Sequence, residues 1–232
     1  MDKLEILRSI LEGSRAVIFD FDNVIVDSEP FHYRAYSKVF GDRGHTIDKD
    51  DYWVEWTSKG GGAEKEIRRY DLGFDTMEIR AAKDPLYSSY CESGEIPVFP
   101  DAIRIIRSFH SSGFPLAIAS GSYRRDIMAL VEFNAIDGFF SAVVGKDGIE
   151  KTKPHPETYL RVATGLGLEP AECFAIEDAE KGVIAAHEAG MKVITVETEV
   201  TKGFDLGDPD LALSGLDELY RLMMEAGLEA GE

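Results

Sequence analysis

The sequence predicts an α/β fold: a doubly wound, Rossmann-like parallel sheet carrying an inserted α-helical cap domain. Three observations predict it. Short continuous apolar runs recur along the chain, and several end in acids or a serine, as buried parallel strands do where they open at their carboxyl edge. Helical patterns separate most of these runs, which is the alternation of a doubly wound sheet. Between Ser28 and about Gly94 the β-type runs vanish, and aromatic-rich helical stretches replace them.

Met1 to Glu12 is acidic and periodic, with Leu4, Leu7 and Leu11 on one helical face and Gly13 placed to stop it. From Ala16 the chain reads AVIFDFDNVIVDSEP, a strand that runs into acids. The helical stretches Phe31 to Phe40, Asp50 to Thr57, Ala63 to Leu72 and Thr76 to Cys91 follow. This block leaves after the first strand and returns before the Pro97 to Pro100 turn, so both connections lie beside the first acidic strand end and the block is placed as a lid. The predicted domains are therefore a core of residues 1–27 and 94–232 and a cap of residues 28–93. Beyond the cap, Ile103, Ile106 and Phe109 mark a helix before Gly113, and Pro115 to Ala119 (PLAIA) reads as a strand. Ile127, Leu130 and Val131 form a helical stripe before a strand at Ala142 to Val144, and Pro154 and Pro156 stiffen the approach to another helix. Cys173 to Ile176 (CFAI), the Val183, Ala186, Ala189 stripe leading to Gly190, Lys192 to Val196 (KVITV) and Leu211 to Leu213 complete the alternation.

Of 232 residues, 43 are Asp or Glu against 25 Lys or Arg, a formal net charge of -18 that repels phosphate backbones and anionic membranes. Nucleic acid and membrane surfaces are excluded as expected partners; a small anion is not, where a few cations or a metal override the average field. Cys91 and Cys173 lack CxxC spacing and read as reduced packing residues. The acidic start is unlike a signal peptide, and no apolar run approaches the ~20 residues that span a bilayer. The expectation is a soluble cytoplasmic protein; oligomeric state is left open.

Asp20 and Asp22 flank Phe21 where the first strand ends, a spacing that suits a mouth where one carboxylate attacks and the other handles protons. Ser120 follows PLAIA, and its hydroxyl, with backbone N–H groups of the turn at Gly121, suits a phosphate oxygen. Lys153, in KTKPHPE, is placed to neutralise phosphate charge and carboxylate repulsion together. Glu177 and Asp178 end the CFAI run; facing the first pair they concentrate negative charge that a hard divalent cation, Mg²⁺, resolves. Each signal alone is also read as ordinary structure: a solvated strand end, a helix N-cap, a loop lysine, an acidic helix start. Their combination, each at or after a strand end and in this order, is far more specific.

On FDFDNVIVDSE, IASGS, KPHPE and IEDAEKGVIAAHEAGM the chain resembles the haloacid dehalogenase superfamily from about Ala16 to Val196. The insertion point is similar to that of its helical-cap group, which includes sugar-phosphate phosphatases and β-phosphoglucomutase. The resemblance implies a Mg²⁺-dependent phosphomonoester hydrolase acting on a small phosphorylated metabolite, with β-phosphoglucomutase-like phosphosugar mutase as the alternative. It implies Asp20 as the nucleophile that becomes phosphorylated and Asp22 as the acid and base. Mg²⁺ would lie on Asp20, the Asp22 carbonyl, Asp178 and, directly or through water, Glu177; Ser120, Gly121 and Lys153 would bind the phosphoryl group. Asn23 stands where glycine is common, and Ala179 where Ser or Thr is frequent. The presence of Asp22 argues against the dehalogenating branch. In the cap, His32 resembles a substrate-facing histidine, and Lys59 precedes the Gly60 to Gly62 loop. Tyr123 stands where the mutase presents a lysine, and the helix faces of Arg34, Lys65 and Arg68 are not assignable, so water is the expected final acceptor. A non-catalytic phospho-receiver uses similar acids and a lysine but is about half this length and lacks the insertion.

Overall fold

Apolar runs of three to five residues suffice as strands here because both faces of the sheet are covered. The computed structural model describes residues 1–58 and 61–228. Helix α1 (Lys3–Glu12) precedes strand β1 (Ala16–Phe19); α2 (Glu29–Gly41), α3 (Lys49–Asp51), α4 (Gly62–Tyr70) and α5 (Thr76–Glu92) form the helical block. Then come α6 (Pro100–Ser111), β2 (Leu116–Ala119), α7 (Arg124–Phe133), β3 (Phe140–Val144), α8 (Glu157–Leu166), β4 (Cys173–Glu177), α9 (Glu180–Glu188), β5 (Lys192–Val196), β6 (Leu211–Leu213) and α10 (Leu216–Ala226). Among the described residues the six strands form one parallel sheet in the order β3-β2-β1-β4-β5-β6. Strand β1 lies between β2 and β4, with Ile18 opposite Ala117 on one side and Ala175 on the other. The carboxyl ends of these three strands thereby come together at the point where chain direction across the sheet reverses, the usual seat of a ligand in such sheets.

Alternation along the strands sorts side chains by size. Phe19, Ile118, Phe174 and Ile176 point to the face covered by α1, α6, α7 and α10, while Ile18, Ala117, Ala119 and Ala175 meet α8 and α9. The many alanines on the second face let those helices approach closely. The predicted first helix is present; its most buried side chains are Leu7 and Ile10, with Leu4 and Leu11 flanking. Three details differ from the sequence expectation. Strand β3 starts two residues earlier than expected, at Phe140. The stretch expected as one helix near Asp50 is the short α3 continued by a π-helical turn, Tyr52–Ser58. Helix α10 went unread, although its Leu216, Leu219, Leu222 and Met223 have helical spacing.

The helical block has its own apolar centre of Val39, Phe40, Ile47, Tyr52, Trp56 and Ile79. Inside it the buried Glu66 carboxylate meets His45 Nε2 at 2.8 Å and accepts from Trp56 Nε1 at 3.2 Å. The two chain segments joining block and sheet pair with each other. Asp27 N donates to Pro97 O at 2.9 Å and Phe99 N to Ile25 O at 2.9 Å, around a Val26–Val98 bridge. The block therefore hangs from one two-stranded stem beside the end of β1. Of the described residues, none forms a helix long and apolar enough to cross a membrane.

Candidate active site

Asp20 is the first residue beyond β1, and its backbone N–H still pairs with Ile176 O at 2.9 Å, which fixes it at the sheet's edge. The chain then turns sharply: Ile25 N and Val26 N both donate to Phe21 O, and Asn23 takes a left-handed φ of 61°. Asparagine tolerates that region, so the turn survives the absence of glycine. Glu177 and Asp178 arrive from the end of β4, with 1% and 4% exposure. Gly182 makes room for Glu177: a Cβ there would fall 2.0 Å from its carboxylate. Ala179 occupies the N-cap of α9 and offers no side-chain cap, as its methyl dictates.

Asp20, Glu177 and Asp178 bring carboxylate oxygens within 4.8 Å of one another. The Lys153 ammonium enters the same cluster, donating to Asp20 Oδ1 and Glu177 Oε1 at 2.6 Å each and to Ala119 O at 2.9 Å. Three anions against one buried cation leave excess negative charge. Burial, reinforced by the charges of Glu177 and Asp22 and opposed by Lys153, pushes the Asp20 carboxyl up to about 7. Burial and the charges of Asp20 and Glu177 likewise raise Asp178 well above the ordinary range. Carboxylates held together against this cost form the oxygen-rich donor set that a hard divalent cation requires, so the cluster fits a metal on its own chemistry.

Asp22 lies in different surroundings. Its Oδ2 accepts from Ser122 Oγ at 2.7 Å and from Ser120 Oγ at 3.2 Å. Its Oδ1 accepts from Tyr87 of α5 at 3.3 Å and lies 3.6 Å from His32 Nε2 of α2. Burial alone would raise its proton affinity, but the His32 interaction and the Ser122 hydroxyl prevail and hold it well below the usual carboxylate range. The His32 ring stacks on Tyr87 with centroids 4.0 Å apart. Two aspartates separated by one residue are thus driven in opposite directions, the separation that acid and base assignments rest on.

The structure brings together Asp20, Asp22, Ser120, Lys153, Glu177, Asp178 and His32. Gly121 is exposed in the turn after β2, while Ser120 Oγ also accepts from Ser122 N at 2.9 Å. Lys59 lies outside the described residues. Arg34, Lys65 and Arg68 pair with Glu95, Glu55 and Glu64 respectively, which takes them out of contention as free cations over the site.

Sequence reasoning missed four residues. Ser122 repeats the Ser120 signal two positions on. Tyr159 is buried and its hydroxyl donates to Glu177 Oε1. Tyr87 and Lys83 lie one turn apart on α5. Lys83 is only 7% exposed, lies 4.1 Å from the Tyr87 ring centroid and 5.5 Å from that of Tyr36, and forms no ion pair with a described residue. Burial, with a contribution from Lys146, lowers its proton affinity, against the attraction of Asp84 and Asp22. The signal was present: Ile79, Leu86 and Tyr87, at helical spacing around Lys83, put that lysine on an apolar face. At the rim, Lys146 Nζ sits 3.6 Å from the Tyr123 ring centroid, so a cation stands beside that tyrosine.

Comparison with known proteins shows the family and the fold. The family of haloacid dehalogenase-like hydrolases matches residues 14–190. Protein CbbY of Rhodobacter capsulatus is 31% identical over 214 residues, covering 87% of this chain and 93% of its own. The fructose-1-phosphate phosphatase YqaB of Escherichia coli is 30% identical over 189 residues, covering 80% of this chain and 97% of its own. The crystal structure of CbbY from Rhodobacter sphaeroides with phosphate superposes with a TM-score of 0.75 at 24% identity, covering 89% of this chain and 96% of that one, a likeness of fold.

Proposed function

This chain belongs to the haloacid dehalogenase-like hydrolase family, and from that premise we propose that it is a phosphatase hydrolysing a small phosphorylated metabolite, a sugar phosphate or a compound of similar size, through a phosphorylated Asp20. One observation carries the reading: a buried three-carboxylate cluster bridged by Lys153 stands beside a second aspartate whose charge is held by hydroxyls and a histidine. The phosphatase named among the relatives supports it.

In this reading Asp20 attacks phosphorus, the bond to the leaving oxygen breaks, and Asp22 delivers the proton that oxygen needs. A phosphate dianion beside Asp22 supplies the like charge that raises its proton affinity for that step. Asp22 then takes a proton from water as the water attacks the phosphorylated Asp20, releasing phosphate and restoring the carboxylate. Ser120, the Gly121 turn and Lys153 orient the phosphoryl oxygens. Mg²⁺ would be held by Asp20, Glu177, Asp178 and the Asp22 carbonyl, and when bound supplies the charge that offsets repulsion between carboxylate and phosphate. Residues 28–93 serve as the cap over a core of residues 1–27 and 94–232; from the cap, His32 and Lys83 face the rest of the substrate. Lys83 is a buried cation awaiting an anion, which favours a substrate with negative charge or several oxygens beyond the reacting phosphate. Two buried, unlinked cysteines suit a reducing cytoplasm.

Phosphorus NMR of the protein with Mg²⁺ and a panel of sugar phosphates tests the reading. Free phosphate should grow in with at least one of them. Conversion of β-glucose 1-phosphate to its 6-phosphate with free phosphate at background would replace the hydrolase by a mutase.

A further inference from the structure

The side chains of Asp20, Ser120, Lys153, Glu177 and Asp178 are buried, and α2 and α5 are set against Asp22 beside them, so the seating of these helices bears on how a phosphomonoester approaches Asp20. What holds α5 down is visible along one side of it. Its second half shares an apolar cluster with α7, where Tyr87, Tyr90 and Cys91 join Ile127, Leu130 and Val131. The turn after it is seated too, since a Cβ on Gly94 would fall 2.3 Å from the Phe133 ring.

Two polar rungs cross the same seam. Ser88 Oγ donates to Asp126 Oδ1 at 2.7 Å in a buried position, and Arg125 donates to both at 3.4 Å, to Ser88 Oγ through Nη2 and to Asp126 Oδ1 through Nε. One helical turn nearer the mouth, the negative charge of Asp84 is near enough to the Tyr123 hydroxyl to raise its proton affinity. Asp84 and Ser88 are four apart on one face of α5, and Tyr123 and Asp126 are three apart at the start of α7, so the rungs match in spacing. Pro85, between them, removes one backbone hydrogen bond from α5 at this level.

We propose that these rungs are the latch that sets how often α5 lifts from the core, making Ser88 and Tyr123 positioning residues that hold Lys83 and Tyr87 over Asp22. The consequence for catalysis rests on the phosphatase reading; the latch itself does not, and its test uses no substrate. Cys91 sits on the seam at 0% exposure, and Cys173, equally buried in β4, reports unfolding of the sheet. Iodoacetamide modification of the full-length protein, followed at each cysteine by peptide mass spectrometry, therefore separates lifting of α5 from global opening. Cys91 should react faster than Cys173 in the wild type. Ser88→Ala should raise the Cys91 rate about tenfold or more, because a buried hydrogen bond to a charged group is lost, with the Cys173 rate unchanged. Tyr123→Phe at the exposed rim should give a smaller rise, and Asp126→Asn, which keeps an acceptor for Ser88, one below that of Ser88→Ala. Equal rates at the two cysteines in the wild type, or a Cys91 rate that neither Ser88→Ala nor Tyr123→Phe moves, would overturn the latch. Should Ser88→Ala unfold and both cysteines accelerate together, the milder Asp126→Asn decides alone: a Cys91 rate no different from the wild type would overturn the latch.

Discussion

Replacing Lys83 by methionine should make the protein more stable and a worse enzyme. Methionine has the length to fill the space between Tyr36 and Tyr87 and carries no charge to desolvate. A buried ammonium costs several kcal/mol after relaxation. Two tyrosine faces, with ring centroids 4.1 and 5.5 Å from Lys83 Nζ, return about 1 kcal/mol each. With no ion pair to a described residue and only the longer-range attraction of Asp84 and Asp22 besides, about 2 kcal/mol remains uncompensated. Its removal should raise Tm by about 4–8 °C for a chain of this length. The charged contact to substrate is lost at the same time, at about 1.5–3 kcal/mol, so kcat/KM should fall about 10- to 100-fold. The pH dependence follows from the sign of the shift. Burial lowers the Lys83 proton affinity in the fold, so between its folded value and the ordinary 10.5 the unfolded chain binds more protons. Wild-type stability therefore gains from Lys83 as pH rises through that window, and Lys83→Met lacks this gain. Differential scanning calorimetry across alkaline pH and steady-state phosphate release measure both effects. A methionine variant less stable than wild type, with kcat/KM within twofold, would show that Lys83 is satisfied in the fold and has no anion to meet.

Two further outcomes concern the carboxylates. Asp178→Asn should stabilise the metal-free protein by about 1–2 kcal/mol, because each like-charge pair within the cluster costs a few kcal/mol before Lys153 offsets it, and should abolish the rise in Tm that millimolar Mg²⁺ gives the wild type; a variant that keeps the rise removes Asp178 from the site. Acid-quenched turnover followed by borohydride reduction should convert phosphorylated Asp20 to homoserine, and peptide mass spectrometry finding the reduced residue elsewhere would overturn its role as nucleophile.

The core of the site was legible because the residues proposed for the chemistry stand at ends of apolar runs. Strand burial dictates those runs, and sheet order then gathers their ends: Asp20 after β1, Ser120 after β2, Glu177 and Asp178 at β4. What stayed hidden depends on which way a helix faces. Arg34, Lys65 and Lys83 are indistinguishable as cap cations in sequence, yet two are spent on surface glutamates and the third is sealed against tyrosines. Helix α10 was hidden for another reason: it follows a strand that ends in no candidate catalytic side chain, although its leucines have the right period.

The two proposed reactive aspartates also show why local sequence carries the chemistry but not the selectivity. Asp20 is governed chiefly by burial, Lys153 and Glu177, with Asp178 in the same cluster and a smaller contribution from the charge of Asp22, so most of its surroundings follow from the fold that the strand pattern encodes. Asp22 is governed by His32 of α2 and Tyr87 of α5 as well as by Ser120 and Ser122. Its setting exists only when α2 and α5 are seated against the core. Changes on α2 or α5 can therefore alter which substrate is accepted while Asp20 keeps its neighbours, whereas a change at Glu177, Asp178 or Lys153 disturbs Asp20 itself. On the proposed reading, substrate choice falls to the pair of helices that carries His32, Lys83 and Tyr87, and to the proposed contacts with α7 that keep α5 in place.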